Sequence, residues 1–557
     1  MRIPISAKTI QVGSFITRSG ILEAEIPNWK YEGLERFSLF FYFSFPQIFT
    51  EKDADFHRFF FPILNIPQRP LRLCGEFKKI HHRIGLQKGK AELKFPNLTH
   101  LAMRRIKILF LLFFLSCSFA PVFSQELVIN HLNVITMLDD KVLEDHSIYV
   151  KDGVIMEIAP EEEISVVGVR TLDGRGMYVF PGLAEFHGHL PNPEQYGPEF
   201  QEEVMMLYLA NGVLRIRSML GHESHLALRD RVMKGELLGP RTFVSGPSFN
   251  GTTVADPEVG RAMVRAQKTA GYDHLKLHPG LDTPKFLAIA DEAKKQGIFY
   301  GGHVSLDVGL VTSVTRGYRS VEHIDGFLEA MLTDGTVIDP TVSGPFNMNL
   351  VAQVDKSKLA GLIQLCLENK TWMAPTMTLF ERYFGYQPAY ELRQQSEMLY
   401  LPGLLVTQWF NTKSKMEADG VLAEAKVKPY LEFRQWLFLE LHKAGVPMIM
   451  SSDSPQVFNV PGFSIHREIE SMSKAGMSNY EILKTGTINP AKYMDQEGQW
   501  GVLKPGAAAE FVLVQKNPLE DLTTMQKPQA IMIQGKFIQR DELQLQLNLI
   551  RQKYLRQ

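Results

Sequence analysis

The sequence predicts an α/β protein, a (β/α)8 TIM barrel with a small composite β-sandwich domain built from the segments that flank the barrel. Three observations lead there. From Leu183 onward, apolar strand-like runs alternate with helical patterns, the texture of parallel βα units. Eight such runs fall near 183–189, 213–219, 241–246, 273–278, 298–303, 318–323, 371–377 and 446–453, and eight units imply a barrel. On either side the texture changes to short alternating runs cut by turns: "ELVINHLNVIT" and "SIYVKDGVIMEIA" ahead, "GVLKPGAAAEFVLVQKNP" and "AIMIQGKFIQ" behind.

In chain order this gives the N-terminal part of the β domain at 125–180, the barrel at 181–495, the C-terminal part of the β domain at 496–540 and a helix at 541–557. The helical segments "PKFLAIADEAKKQG" and "KPYLEFRQWLFLELHKAG" each close on a glycine suited to a C-cap. Two connections, 324–355 and 378–425, are too long to be plain links; they follow strands six and seven, at the barrel face where substrates bind. The second carries Tyr383, Phe384, Tyr386, Tyr390 and Trp409, which either line a pocket or pack the insertion's own core.

Ahead of these elements the chain reads differently. Residues 1–102 show no sustained period and crowd phenylalanine between Phe37 and Phe61. At Met103 begins "MRRIKILFLLFFLSCSFAPVFSQ", with a basic start (Arg104, Arg105, Lys107) and a short apolar core, the grammar of a secretory signal peptide over 103–124. The apolar core falls short of the roughly 20 residues a membrane span needs. Met103 is therefore read as the start of the protein and 1–102 as upstream translation or disorder, with an extension carrying an internal signal anchor as the rival. A periplasmic or secreted protein follows, without a stable membrane span after cleavage, and Cys117 in "FLSC" offers lipid anchoring as the alternative. Cleavage after Ser124 leaves Cys366 as the sole cysteine, so no disulfide is expected.

Sixty basic and 61 acidic residues give a net charge of −1, which argues against a nucleic-acid surface. A small-molecule or peptide-like substrate is the expected partner, with a homo-oligomer left open. The chain holds no G-x-S-x-G elbow, Walker loop, G-x-G-x-x-G after a strand, or C-x-x-C.

The chemistry concentrates at strand ends. In "VFPGLAEFHGHLPN", His187 and His189 are two apart on a strand, share a face and can hold one metal ion. His303 ends strand five in "GIFYGGHVS", His323 ends strand six in "RSVEHIDG", and Asp453 ends strand eight in "VPMIMSSDSP". Singly, each histidine can be an ordinary hydrogen-bonded residue and Asp453 a helix cap; together, imidazole and carboxylate are what Zn²⁺ or a similar ion prefers. Lys276 in "YDHLKLHPG" turns inward with His274 and His278. A buried lysine needs a partner or a chemical change: a carbamate made with CO2, neutralisation by Asp273 or Glu322, or exposure after all. His222 and His225 in "GHESH" read as surface residues.

With "PGLAEFHGHL", "NGVLRIRSM", "LGPRTFVSG", "YDHLKLH", "GGHVS", "SVEHIDG", "SSDSP" and "GVLKPGAAAEFVLV" in this order, the chain from Glu126 to Gln539 resembles the amidohydrolase superfamily, in the branch of imidazolonepropionase-like proteins and Xaa-Pro or Xaa-Arg dipeptidase relatives. The resemblance implies a metal-dependent hydrolase of a carbon–nitrogen bond in a small peptide-like or cyclic amide. It implies two divalent ions, zinc by expectation: His187, His189 and Asp453 on the more buried, His303 and His323 on the other, and Lys276, carboxylated by CO2, bridging them. A metal-bound hydroxide would attack the amide carbonyl, with Asp453 as general base and then general acid. The chain departs from the family pattern at Glu185, where aspartate is usual, at Ser452, where Gly-Thr-Asp is common before the ligand, and in "HPGLDTP" after Lys276, which puts dipeptide specificity in doubt. His278 and Glu322 would orient ligands or fill the barrel's polar end. The alternatives are a mononuclear deaminase or imidazolonepropionase-type hydrolase with an unmodified Lys276, and a catalytically silent binding relative.

Overall fold

The computed structural model describes residues 126–556. The upstream segment, the signal peptide and the Cys117 anchor all fall outside the described residues.

The chain opens with β1 (Glu126–Ile135), β2 (Val142–Lys151), β3 (Val154–Pro160), β4 (Arg170–Asp173) and β5 (Tyr178–Pro181). There follow β6 (Leu183–Gly188), β7 (Val213–Ser218), β8 (Arg241–Val244), β9 (His274–Leu277), β10 (Phe299–Gly302), β11 (Ser320–Glu322) and β12 (Trp372–Ala374), with helices between them. β13 (Phe511–Val514), β14 (Ala530–Ile533) and β15 (Lys536–Gln539) lead into a last helix, Arg540–Leu555.

Strands from both flanks join in one eight-stranded sheet, ordered β15-β14-β13-β5-β1-β2-β3 with β4 beside β1. The seam is antiparallel, from Phe511 opposite Pro181 to Val514 opposite Tyr178. Apolar residues from both flanks, Ile129, Val134, Ile148 and Val179 with Phe511 and Leu513, bury one core between them. The opposite face of β13 and β14 is buried as well, with Val512, Val514, Ile531 and Ile533 packed into the larger core.

The remaining strands are parallel and form a mixed α/β fold with a curled half-barrel sheet: β9 to β12 in four strands, β6 to β8 in three. Bridges from Ser245 to His274 and from Phe249 to Leu277 link β8's continuation to β9. Segment 446–453, expected as the eighth strand, is not a regular strand. Ile449 N donates to Met373 O on one side (2.9 Å), while on the other Phe186 N donates to Met450 O (2.9 Å) and Asp453 N donates to His187 O (2.8 Å). Met450 N turns away to Thr485 O at 2.8 Å, and Asp453 sits at φ +59°, so the ladder is shared among three neighbours and no regular pairing survives.

Helix Thr283–Gln296 starts at Asp282, whose carboxylate accepts from Lys285 N, and ends at Gly297 in the left-handed region. Helix Glu424–Lys443 stops before Ala444, one residue ahead of the expected glycine. Connection 378–425 folds into helices, among them Gly403–Ala418, and its aromatics divide between packing inside it, packing on neighbouring segments and exposure. Trp409 meets Phe458 edge-on at 6.0 Å and Tyr383 stacks on Phe384 at 4.5 Å, while Tyr386 and Tyr390 are exposed. Among the described residues no helix is long and apolar enough to cross a membrane.

Candidate metal centre and active site

β6 delivers His187 and, just past its end, His189. Between them a Cβ on Gly188 would lie 2.9 Å from the Tyr208 hydroxyl and 3.2 Å from Ile216, so only glycine lets the strand pass this close to its neighbours. Together with Asp453 the two histidines bring their ligand atoms within 4.8 Å of one another, all three residues buried. His189 Nε2 stands 3.1 Å and His187 Nε2 3.7 Å from Asp453 Oδ1.

Lys276, on β9, is fully buried, and its Nζ lies 3.3 Å from His187 Nε2. Of the two carboxylates considered from the sequence, Glu322 acts on it through its charge, as does Asp453. Asp273 accepts from Arg229 and from Val244 N, and Glu322 is taken up by His187 and Arg217. β10 brings His303 beside this group through Gly302, where a Cβ would fall 2.0 Å from Leu277 O. The His303 ring stacks on His323 at 4.4 Å, and His323 in turn lies 4.6 Å from the His187 ring.

Three of these imidazoles are turned the same way. Nδ1 of His187 is held by Glu322 (2.6 Å), Nδ1 of His303 by Asp325 (2.7 Å) and Nδ1 of His323 by Thr376 Oγ1 (2.7 Å), which leaves Nε2 as the free ligand atom on each. His189 Nε2, His323 Nε2 and Asp453 Oδ1 are buried with no hydrogen-bond partner. Leaving such atoms unpaired costs about 1–3 kcal/mol each, and divalent cations would satisfy them. Imidazole nitrogens with a carboxylate suit Zn²⁺ and its first-row neighbours. The residues present therefore fit a metal.

Burial first, and then the charge of Lys276, drives His187, His189 and His303 well below the usual imidazole range; His323 follows through burial and its neighbouring imidazoles. Neutral imidazole is the ligating form. Burial lowers Lys276 to about 8 and raises Asp453 and Glu185 to about 7.

The two departures from the superfamily's strand motifs meet in space. The Glu185 carboxyl accepts from Ser452 N and His187 N, each at 2.9 Å, and from Ser452 Oγ, tying the turn that carries His187 to the one that carries Asp453. Several supporting residues carry no sequence signal of their own. Arg217 grips Glu322 with one nitrogen at 2.9 and 3.1 Å and donates to Tyr493 OH at 2.6 Å. Arg434, from helix Glu424–Lys443, donates to His323 O (2.8 Å) and Pro375 O (3.0 Å) and lies 3.3 Å over the Phe380 ring. Those carbonyls border His323, Ile324 and Thr376, at φ +61°, +56° and +46°. Asp325 was legible in principle, two residues after His323 in "EHIDG". His278 is half-buried, its ring 5.2 Å from that of His303. His225, expected at the surface, is buried instead: it opens helix Ser224–Met233 with Nε2 3.3 Å from Pro191 O, while His222 is partly exposed.

The family model of the Amidohydrolase family matches residues 178–538, and the chain belongs to that family. Ochratoxinase of Aspergillus niger is 21% identical over 419 residues, spanning 71% of this chain and 82% of the relative. Among solved structures, a bottromycin amidohydrolase superposes with a TM-score of 0.59 at 18% identity, covering 82% of this chain and 94% of its own. A Xaa-Pro dipeptidase with bound methionine in the active site gives 0.54 at 18% identity, covering 74% and 100%. The protein is a hydrolase acting on carbon–nitrogen bonds of the amide type.

Proposed function

We propose that this chain hydrolyses the amide bond of a small peptide-like or cyclic amide substrate with two divalent ions, by preference zinc, held at the ends of the parallel strands. The observation that carries this reading is the set of imidazoles whose Nδ1 atoms are already engaged, so that their Nε2 atoms are free beside Asp453 and Lys276. In it His187, His189 and Asp453 would hold one ion and His303 and His323 the second, with Lys276, as a carbamate, serving both. That modification joins the neutral amine's Nζ to the carbon of CO2 with loss of one proton, and it suits a buried amine lowered to about 8 whose hydrogen bond runs to His187 rather than to a carboxylate. Bound ions of this kind supply Lewis acidity that brings a water's pKa toward neutrality and polarises the scissile carbonyl. Asp453 takes the proton from the attacking water and returns it to the leaving amine nitrogen. Glu322, Asp325 and Thr376 keep the three rings from rotating, and Glu185 keeps the His187 and Asp453 turns in register.

The architecture in this reading is a closed (β/α)8 barrel over 181–495. The bridges from β8 to β9 and the hydrogen bonds of segment 446–453 to β12 and β6 support closure. The flanks at 125–180 and 496–540 serve as the β domain. The leader-like segment 103–124 supports work in the periplasm or outside the cell.

The test is a screen of N-acyl amino acids, dipeptides and cyclic amides with zinc-loaded protein. Hydrolysis that disappears with a chelator and with Asp453→Ala is expected. Deamination of an amino-heterocycle without amide hydrolysis would instead establish the mononuclear reading.

A further inference from the structure

Beside the metal centre lies a cavity of about 540 Å³. His303 and Asp325, joined through Nδ1 and Oδ2, form part of its lining, so whatever fills it lies against one of the candidate ligands. Its other walls come from the two turns after β10 and β11 and from helix Glu424–Lys443. They are largely apolar, with Leu306, Leu310, Leu328, Phe346 and Phe433 among them. The volume is that of a pocket for a small organic group.

Two features give the cavity a chemical preference. Phe346 is 37% exposed and is presented by a turn in which it and Asn347 both adopt left-handed backbone, at φ +49° and +55°. Such strain in non-glycine residues persists where a side chain must be aimed. Phe346 meets Phe380 and Phe384 edge-on at 5.0 and 5.5 Å, extending an aromatic wall. The second feature is charge. Glu329, whose carboxyl accepts from the Asn347 amide, lines the cavity along with Asp325. Arg434 is the one arginine or lysine among the lining residues, and both its terminal nitrogens are spent on backbone carbonyls. An anionic group entering here would face two carboxyls and one guanidinium whose terminal nitrogens are already engaged.

We propose that this cavity is the pocket for an uncharged, branched or aromatic arm of the amide substrate, and that Asp325 and Glu329 turn anionic arms away. The proposal deepens the amide-hydrolase reading and rests on it for the reaction, though not for the binding.

The experiment uses the full zinc-loaded chain and two probe series, one varying the acyl arm (N-acetyl-, N-benzoyl- and N-succinylglycine) and one the amine arm (N-acetylglycine, N-acetylphenylalanine and N-acetylaspartate). In one series the aromatic member is expected to exceed N-acetylglycine in kcat/KM by about tenfold or more. Ala330→Trp, which fills the cavity, and Phe346→Ala, at its exposed rim, should each pull that ratio toward one. Glu329→Gln should raise the acidic member relative to the aromatic one. Ratios that none of the variants moves would overturn the proposal. Calorimetric binding of N-benzoylglycine and N-acetylphenylalanine separates the two claims. Binding without turnover that Ala330→Trp abolishes keeps the pocket and sinks the amide reading; no binding, or binding the variant leaves intact, sinks the pocket.

Discussion

At the scale of single residues, the site is organised by what holds the far side of each imidazole. A histidine can rotate and can carry its proton on either nitrogen; a carboxylate on Nδ1 removes both freedoms, and a hydroxyl there restrains the rotation. His303 depends in this way on Asp325. Asp325→Asn keeps the shape but removes the charge that favours the Nδ1–H tautomer, and metal affinity is expected to fall by about 10–100-fold. Competition against a chelating dye measures it; affinity equal to that of the parent would remove Asp325 from the site's machinery. The ligand candidates themselves stood out in the sequence because histidine and aspartate are rare endings for apolar strands, and the H-G-H spacing is local. Their supporters did not, because the contacts are remote in sequence: Glu322 lies 135 residues from His187, and Arg434 lies 111 from His323.

At the scale of elements, helix Glu424–Lys443 does more than cover the sheet. Through Arg434 it fastens the exits of β11 and β12 to each other, where three residues, His323, Ile324 and Thr376, run in left-handed backbone that needs holding. Arg434→Met leaves the carbonyls of His323 and Pro375 without this donor, at a cost of about 1–3 kcal/mol for each that stays dry. The expected result is a lower urea midpoint together with a fall in kcat that exceeds any rise in KM; Arg434→Lys should recover part of both. A loss of stability with unchanged kcat would make the helix a structural prop alone. The alternation of βα units was legible from Leu183 onward because parallel strands are apolar on both faces. The irregular course of 446–453 was not, since it reflects a competition among Met373, Thr485 and β6 for the same backbone. Nor could sequence decide where the aromatics of 378–425 go: Phe384 and Trp409 pack on Phe380 and Phe458, and the cavity beside His303 takes its aromatic wall from Phe346 in the other long connection.

At the scale of the whole molecule, the buried titratable groups set how stability follows pH. His187, His189, His225, His274, His278, His303, His323 and His466 all have folded pKa values below the ordinary 6.5, because burial disfavours the imidazolium. Below pH 6.5 the unfolded chain binds more protons at these groups, so their contribution to stability grows as pH rises toward that value. Glu185, Asp325, Asp453 and Glu468 are raised by burial and act in the opposite sense as pH climbs through the acid range. The histidines outnumber the carboxyls, so the metal-free protein in a chelator should show a higher urea midpoint at pH 6.5 than at pH 5. An equal or lower midpoint would mean that the imidazoles are charged in the fold.

The central claim is that Lys276 completes a two-metal centre, and metal content per chain tests it most directly. The purified protein, loaded with zinc with and without bicarbonate, would be compared with Lys276→Ala by plasma mass spectrometry after exhaustive dialysis. The account predicts two ions per parent chain, favoured by bicarbonate, and one or none in the variant; a single ion untouched by either bicarbonate or the substitution would contradict it.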